Sequence, residues 1–176
     1  GLGDVYKRQN PAMSDPDVEH ARDALAKLKH LVVQDIFLTE TANYADVILP
    51  ASAFAEKNGT VTNTNRQVQM GRKAVAPPGE AREDWWIEVQ LAKRMGLAWT
   101  YESPADVFAE MKLNMRSLDN ITWERLEIEN AVTYPSLAED DPGQAIVFGT
   151  GFPRQNGRAR FTPASIIAPD DVPDTD

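Results

Sequence analysis

The sequence contains no cysteine and only two histidines, His20 and His30. Without cysteine, the chain can form no disulfide bond, no thiolate nucleophile and no cysteine-ligated cluster. Neither histidine has a second ligand at a spacing typical of zinc sites. The sequence therefore predicts no metal site within this chain, and the lack of cysteine is compatible with a reducing compartment.

Long apolar runs and excess positive charge are also missing. No stretch of eighteen apolar residues is present, so we expect no membrane span. The first nine residues lack the apolar segment of a secretory signal. The formal net charge is -9, and nucleic-acid binding requires a basic surface, so we expect no nucleic-acid partner.

Both ends of the chain have unusual composition. Residues 1–9 show no helical or strand period and are similar to a translated sequencing adapter, so we expect them to be non-native. Residues 168–176 are rich in proline and aspartate, which is typical of an acidic linker. We interpret the sequence as a fragment of a longer protein.

Residues 10–100 have the pattern of an α/β domain. Ser14 is expected to cap a helix that ends near His30, and a buried strand follows at residues 31–35. A short helix opening at residues 39–41 leads to a second buried strand at residues 46–49, which Pro50 ends. Helices alternating with strands predict a partial Rossmann-like parallel sheet.

The second half is predicted to be mainly helical. Helices are expected at residues 84–95, after Ser103 with Asp106 at the capping-box position, and after Thr122. Their apolar positions are expected in the core; they are Trp86, Ile87, Val89, Leu91, Met95, Val107, Phe108, Met111 and Met115. Residues 145–148 and 158–161 are predicted to pair as a hairpin, which completes a helical extension over residues 101–167.

Polar residues follow the predicted strands, at the edge where open parallel sheets bind ligands. An aspartate such as Asp35 or Asp84 can accept hydrogen bonds from a guanine edge or a ribose, and Lys57 can pair with a phosphate. Simpler interpretations stay open, because Ser14 and Asp84 also suit helix caps, Asp35 suits a turn, and Lys57 suits an ordinary surface. These residues alone favour an α/β domain that could bind a nucleotide.

The continuous run from Val33 to Pro50 resembles the molybdopterin oxidoreductase family of the dimethyl-sulfoxide-reductase type. Asn10-Pro11, the turn at residues 56–60, Asn65-Arg66 with Gln69, and residues 76–85 are similar to the same family. The resemblance extends from Asn10 to about Ile167. Within the family, it is closest to the alpha subunit of soluble NAD-dependent formate dehydrogenases.

The resemblance implies a bis(molybdopterin guanine dinucleotide) centre with molybdenum or tungsten, of which this chain would hold a part. The residues implied to contact one guanine dinucleotide are Asn10, Ser14, Gln34, Asp35, Thr39, Lys57 and Asp84. Asp35 and Asp84 would suit the guanosine, and Lys57 the phosphates. The family usually has Gly-Glu before the Asn-Pro, where this chain has Arg8-Gln9, so we expect native sequence to begin at or near Asn10.

The same resemblance implies that the catalytic residues lie elsewhere. The catalytic Cys or selenocysteine, its neighbouring His, the formate-binding Arg and the iron–sulfur cysteines would precede Asn10, and a cofactor-binding barrel would follow Asp176. The fragment would therefore be inactive alone. Its partners would be the rest of its subunit, a flavin and iron–sulfur beta subunit and an iron–sulfur gamma subunit, all in the cytoplasm.

Two alternatives stay open on the sequence. One is a non-catalytic scaffold, similar to the large iron–sulfur subunit of a complex I-like NADH dehydrogenase. The polar set Gln34, Asp35, Lys57 and Asp84 argues against it, because a lost cofactor site has no use for such groups. The other is a related molybdenum oxidoreductase such as a nitrate reductase.

Overall fold

The computed structural model describes residues 4–168. Within this range the chain divides into two compact units, the first containing residues 4–56, 75–97 and 165–168, and the second containing residues 57–74 and 98–164. The linker predicted at residues 168–176 lies outside the described residues except for its first residue. The domain boundaries at residues 100 and 101 stay a prediction.

The first unit contains a three-stranded parallel sheet in the order β1-β2-β3, with β1 at Asp4–Lys7, β2 at Leu31–Asp35 and β3 at Val47–Pro50. Val33 lies opposite Tyr6 on one side and Ile48 on the other. Two helices connect β1 to β2, namely α1 at Pro11–Ser14 and α2 at Val18–Ala26. A 3-10 helix at Thr41–Tyr44 connects β2 to β3. The predicted parallel α/β arrangement is confirmed.

Two local predictions for this unit are wrong. Asp17, and not Ser14, caps the long helix, since its side chain accepts a hydrogen bond from the backbone nitrogen of His20 at 3.2 Å. Ser14 instead ends the preceding short helix α1. The second concerns residues 1–9: no strand period was found there, yet Asp4–Lys7 form β1, because backbone pairing with β2 does not require alternating side chains. That residues 1–9 are non-native stays a prediction.

The core of the first unit lies beside β2. Leu31 and Val33 are buried together with Ala12, Leu25 and Ala42 from the surrounding helices. Strand β3 was predicted to be buried as well, but it is an edge strand, and Val47 and Ile48 are each 39% exposed. Periodicity cannot distinguish a central strand from an edge strand when both consist of apolar residues.

Helix α3, at Asp84–Arg94, completes the first unit. Gly96 follows with φ +84°, in the left-handed conformation that commonly ends helices, as predicted. The apolar stripe is only partly in the core. Ile87 and Val89 are buried, whereas the side chains at the remaining predicted positions on this helix are exposed, namely Trp86, Leu91 and Met95.

The second unit contains an antiparallel sheet and two helices. The sheet has the order β4-β5-β6, with β4 at Gly59–Thr62, β5 at Gln67–Gly71 and β6 at Ala131–Thr133. Helix α4 covers Pro104–Asn114 and α5 covers Trp123–Glu129. Their buried side chains form one cluster with those of the sheet, consisting of Val68, Phe108, Leu118, Ile121, Leu126 and Val132.

The predicted helix starts in this unit are confirmed. Ser103 and Asp106 form a capping box at the start of α4, and Thr122 accepts a hydrogen bond from the backbone nitrogen of Arg125 at 3.0 Å. The predicted burial along α4 holds for Phe108 alone; Val107, Met111 and Met115 are exposed.

An antiparallel hairpin is present, but at a different place from the predicted one. Strands β4 and β5 form it, with Val61 opposite Gln69. Residues 145–148 and 158–161 form turns and irregular backbone instead. Ile146 and Phe161 lie in these two predicted strands and are 79% and 94% exposed, so among the described residues they have no apolar surface to pack against that would favour pairing. Within residues 4–168, no helix is long and apolar enough to cross a membrane.

Candidate functional site

Three buried polar side chains lie at the carboxyl end of β2, just after β3 and at the start of α3. Gln34 is the penultimate residue of β2, Ser52 follows β3, and Asp84 is the first residue of α3. They are only 3%, 0% and 9% exposed. Because burying polar groups is costly unless they are hydrogen-bonded, such a cluster at the carboxyl edge of a parallel sheet is a candidate ligand site.

The carboxylate of Asp84 is the centre of this cluster. The side-chain nitrogen of Gln34 donates to Oδ1 of Asp84 at 2.9 Å. The guanidinium of Arg8 donates from Nε to Oδ1 at 2.8 Å and from Nη2 to Oδ2 at 2.7 Å. Asp84 therefore accepts a side-on pair of planar N–H donors, which is the strongest arrangement for a carboxylate and a cation.

Arg8 reaches this position from an unusual backbone conformation. Its φ is +55°, in the left-handed region that costs a non-glycine residue about 1–2 kcal/mol. The resemblance to the family places a glycine here, and glycine adopts this conformation without that cost. The Asp84 hydrogen bonds raise the pKa of Arg8 above its ordinary value against the opposing effect of burial, so the side chain stays charged.

Ser52 contributes its main chain to the cluster. Its carbonyl oxygen accepts a hydrogen bond from Nη2 of Arg8, the same nitrogen that donates to Asp84. Its backbone nitrogen donates to the carbonyl of Arg82 at 2.9 Å, which fixes the segment after β3. The Ser52 hydroxyl is buried without a hydrogen-bond partner among the described residues.

Asp35 ends β2 beside Gln34 and shapes the following loop. Its Oδ1 accepts hydrogen bonds from the backbone nitrogens of Ile36 at 2.6 Å and Phe37 at 3.4 Å. This is the turn role that the sequence left open for it. The charge of Asp35 also makes a small favourable electrostatic contribution that raises the pKa of Arg8.

Asn10 joins the start of α1 to the 3-10 helix. Its side-chain oxygen accepts from the backbone nitrogen and the hydroxyl of Thr41, at 3.1 and 2.8 Å. Its side-chain nitrogen donates to Glu40 at 2.7 Å, and this hydrogen bond lowers the pKa of Glu40. The same nitrogen donates to the sulfur of Met13 at 3.6 Å, so Asn10 positions local structure through both its acceptor and its donor group.

The remaining predicted site residues are more peripheral. The Ser14 hydroxyl donates to the carbonyl of Asn10 at 3.0 Å and is exposed. The Thr39 hydroxyl accepts a long hydrogen bond, 3.4 Å, from the backbone nitrogen of Ala42. Lys57 is half-buried and is the first residue of the second unit. The structure thus brings Gln34 and Asp84 into direct contact, and Asp35 follows Gln34 at the end of β2.

The sequence reasoning missed the contribution of Ser52. Ser52 is a small polar residue directly after the predicted strand end at Pro50-Ala51, but its contact with Arg8 is made by its backbone oxygen. A main-chain acceptor has no side-chain signature, however, so its role became visible only in the structure. Arg8 also had no signal, because it lies in the range expected to be non-native.

An open cleft of the first unit is separate from this cluster. It has a volume of about 530 Å³ and lies along α2, with Tyr6, Asp17, His20 and Leu25 among its lining residues. None of the predicted site residues lines it. This cleft and the buried polar cluster are therefore two different places in the first unit.

Comparison with known proteins identifies the class of protein. The sequence profile of the molybdopterin oxidoreductase family matches residues 5–94, which include nearly all of the parallel sheet and Asp84. The chain belongs to the molybdopterin oxidoreductase family. Membership implies a molybdopterin cofactor with molybdenum or tungsten in the complete protein.

Several curated relatives are formate dehydrogenase alpha subunits. The F420-dependent formate dehydrogenase subunit alpha of Methanocaldococcus jannaschii is 46% identical over 96% of this chain and 25% of its own length. The F420-dependent formate dehydrogenase 2 subunit alpha of Methanococcus maripaludis is 44% identical over 88% of this chain and 23% of its own length. A putative formate dehydrogenase of Staphylococcus haemolyticus is 40% identical over 88% of this chain and 16% of its own. The chain spans a quarter or less of these relatives.

A solved structure supports the fold. Acetylene hydratase from Pelobacter acetylenicus superposes with a TM-score of 0.59, covering 74% of this chain and 18% of that protein, at 23% sequence identity. At this identity, the similarity shows a shared fold and not a shared reaction. The α/β architecture expected from the sequence is confirmed.

Proposed function

We propose that this chain is part of the catalytic subunit of a molybdenum or tungsten formate dehydrogenase, where it holds one guanine dinucleotide of a bis(molybdopterin guanine dinucleotide) centre. The observation that carries the proposal is the buried carboxylate of Asp84, which has two acceptor oxygens and is held in place by a hydrogen bond from Gln34. Guanine presents an N1–H and a 2-amino group side by side, and a carboxylate is the natural acceptor for such a pair.

The chain's own residues bind and orient the cofactor in this account. Asp84 accepts hydrogen bonds from the guanine base, and Gln34 fixes the rotamer of Asp84. Asp35 accepts a hydrogen bond from the guanosine. Lys57 pairs with the phosphates, while Asn10, Ser14 and Thr39 support the loops around the dinucleotide. The bound centre would supply the redox chemistry that converts formate to CO₂ with release of a proton and an electron pair. No residue of this chain is assigned a catalytic step.

The electron acceptor has two candidates. The resemblance of the sequence to soluble formate dehydrogenases favours NAD, reached through iron–sulfur clusters and a flavin in partner subunits. The names of two relatives at 46% and 44% identity favour F420 instead. Reduction of NAD by the complete enzyme with formate supports the first candidate, and reduction of F420 without NAD reduction overturns it.

We place the enzyme in the cytoplasm, with beta and gamma subunits as partners. The scaffold alternative, similar to a complex I subunit, is disfavoured because Gln34 and Asp84 are buried and polar. A scaffold without cofactor gains nothing from this pair, which apolar residues could replace. A nitrate reductase would share the cofactor, so substrate assays with formate and nitrate distinguish it.

The test measures cofactor content in the intact subunit that contains this segment. Asp35→Ala and Asp84→Ala are each expected to lower the molybdenum or tungsten content and the guanine released on denaturation. Glu80→Ala is the matched control, because Glu80 is an exposed carboxylate four residues before Asp84. Normal metal and guanine content in both aspartate variants would refute the assignment.

The isolated chain provides a second test. We expect the purified 176-residue chain to show no formate oxidation with viologen dyes, since no catalytic group is assigned to it. Formate-dependent dye reduction by this chain alone would overturn the interpretation as a cofactor-holding fragment.

A further inference from the structure

We propose that the guanidinium of Arg8 occupies the guanine position of this chain, so that the chain blocks its own nucleotide site, and that the carbonyl oxygen of Ser52 is an additional acceptor for the 2-amino group of guanine. The inference rests on the proposed function, in which Asp84 binds guanine. It goes further by identifying a second acceptor and an internal competitor.

The first step is the match between the two donor groups. Arg8 presents Nε–H and Nη2–H to Asp84, at 2.8 and 2.7 Å, in one plane. Guanine presents N1–H and its 2-amino group with the same side-on geometry. A carboxylate that accepts the guanidinium pair therefore has the geometry to accept the guanine edge in its place.

The second step concerns the hydrogen bond from Arg8 to the carbonyl oxygen of Ser52. Nη2 of Arg8 has two hydrogens and uses both, one to Oδ2 of Asp84 and one to the carbonyl of Ser52. The 2-amino group of guanine also has two hydrogens. Placed where Nη2 lies, it would donate to the same two acceptors. Hypoxanthine lacks this amino group, so it would lose both contacts.

The third step is the fixed shape of the receptor. Gln34 donates to Oδ1 of Asp84 from a nearly fully buried position, and Ser52 is held by its backbone hydrogen bond to Arg82. Both acceptors are therefore held by groups other than Arg8. Removing Arg8 is expected to leave both acceptors in place without the two guanidinium donors.

Arg8 is also the residue of the site that can be substituted without disturbing the backbone. Its left-handed backbone, with φ +55°, suits glycine, so Arg8→Gly removes the competitor without backbone strain. Asparagine tolerates the same conformation, so Arg8→Asn serves as a second variant. Both substitutions remove the charged donor pair while the backbone conformation can persist.

The experiment measures binding of GMP to the 176-residue chain by isothermal titration calorimetry. We expect Arg8→Gly and Arg8→Asn to bind GMP at least about tenfold more tightly than the original chain. We expect IMP to bind the Arg8→Gly chain at least about tenfold more weakly than GMP, because both amino contacts are lost. AMP, which places an acceptor nitrogen against the carboxylate, should bind more weakly still. Asp84→Asn in the Arg8→Gly background should remove GMP binding.

Each of the other possible outcomes refutes a specific part of the proposal. Equal GMP affinity with and without Arg8, lost on Asp84→Asn, would refute self-blocking while leaving the proposed function intact. Equal affinity for GMP and IMP would refute the Ser52 contact. No GMP binding by either Arg8 variant, with folding verified by circular dichroism, would refute both the inference and guanine binding at Asp84.

Discussion

The side-chain nitrogen of Gln34 donates to Oδ1 of Asp84 at 2.9 Å, joining residues 50 positions apart in the sequence. Gln34 lies on the central strand β2, and Asp84 begins α3. Both are buried, so the hydrogen bond fixes the orientation of the carboxylate where water cannot substitute for it. The candidate site therefore depends on tertiary packing more than on any local motif.

Replacing Gln34 by glutamate should make the stability of the chain depend on pH. A second buried carboxyl beside Asp84 raises the pKa of the pair, because two like charges at this distance disfavour ionisation. A raised folded-state pKa gives stability that is complete below the unfolded value, about 4.3, and lost as pH rises. At pH 7 we expect Gln34→Glu to lose about 3 kcal/mol in urea unfolding.

Gln90→Glu is the matched control for that variant. Gln90 lies on α3, is half-buried, and accepts a hydrogen bond from Arg94 at 3.1 Å, so a carboxylate there gains a cationic partner. We expect no comparable loss of stability above pH 5. If the unfolding free energy of Gln34→Glu varied with pH in parallel with that of the parent chain, the buried contact between Gln34 and Asp84 would be contradicted.

Truncation of Leu126 should test the core of the second unit. Leu126 is 0% exposed on α5, whereas Ile128 on the same helix is 81% exposed. Leu126→Ala is expected to cost about 2–5 kcal/mol of unfolding free energy. Ile128→Ala should change it by less than about 0.5 kcal/mol. Similar costs for the two variants would show that α5 packs through a different face.

The capping box of α4 should give a pH-dependent contribution. Hydrogen bonds from the backbone of Glu102 and from Ser103 lower the pKa of Asp106. A lowered folded-state pKa contributes stability that is present above the unfolded value and is lost as pH falls. Asp106→Asn should therefore be less stable than the parent at pH 7, with the difference disappearing towards pH 3 in thermal unfolding. Glu110→Gln on the same helix is the control variant. A loss of thermal stability in Asp106→Asn that persists at pH 3 would contradict the capping role of Asp106.

Arg66 should hold the segment after β6. Its guanidinium donates from one nitrogen to the carbonyls of Gln144 and Ala145, both at 2.9 Å, and from another to the carbonyl of Tyr134. Lysine keeps the charge but cannot reproduce this fork. We expect Arg66→Lys to increase trypsin cleavage at Arg154 and Arg158 several-fold under native conditions.

Arg72→Lys controls for a general loss of an arginine in this unit. Arg72 contacts Glu127 and Asn130, away from the segment held by Arg66, so cleavage at Arg154 should not change. Unchanged proteolysis of the Arg66→Lys chain would show that its carbonyl contacts do not restrain the segment.

The sequence predicts those features that depend on local chemistry. The helix starts at Ser103 and Thr122 follow from short side chains that satisfy nearby backbone nitrogens, and the parallel arrangement of β2 and β3 follows from alternating helix and strand patterns. The end of β2 at Asp35 was also predictable, because Gln34-Asp35 interrupts an apolar run.

Features that depend on distant partners could not be predicted. Strand β3 is apolar whether it is central or at an edge, so its exposure depends on whether another strand pairs with it. The contact of Gln34 with Asp84 requires α3 to pack at the sheet edge, which no local pattern encodes. The acceptor at Ser52 is a main-chain oxygen and has no signature in the sequence.

The most direct test of the central claim is nuclear magnetic resonance of the uniformly ¹⁵N-labelled Arg8→Gly chain saturated with GMP. Guanine binding at Asp84 should shift the side-chain amide resonances of Gln34, which donates to that carboxylate at 2.9 Å, while those of Gln144 in the second unit should stay unchanged. Saturable shifts confined to residues outside the cluster of Gln34, Ser52 and Asp84 would contradict the account.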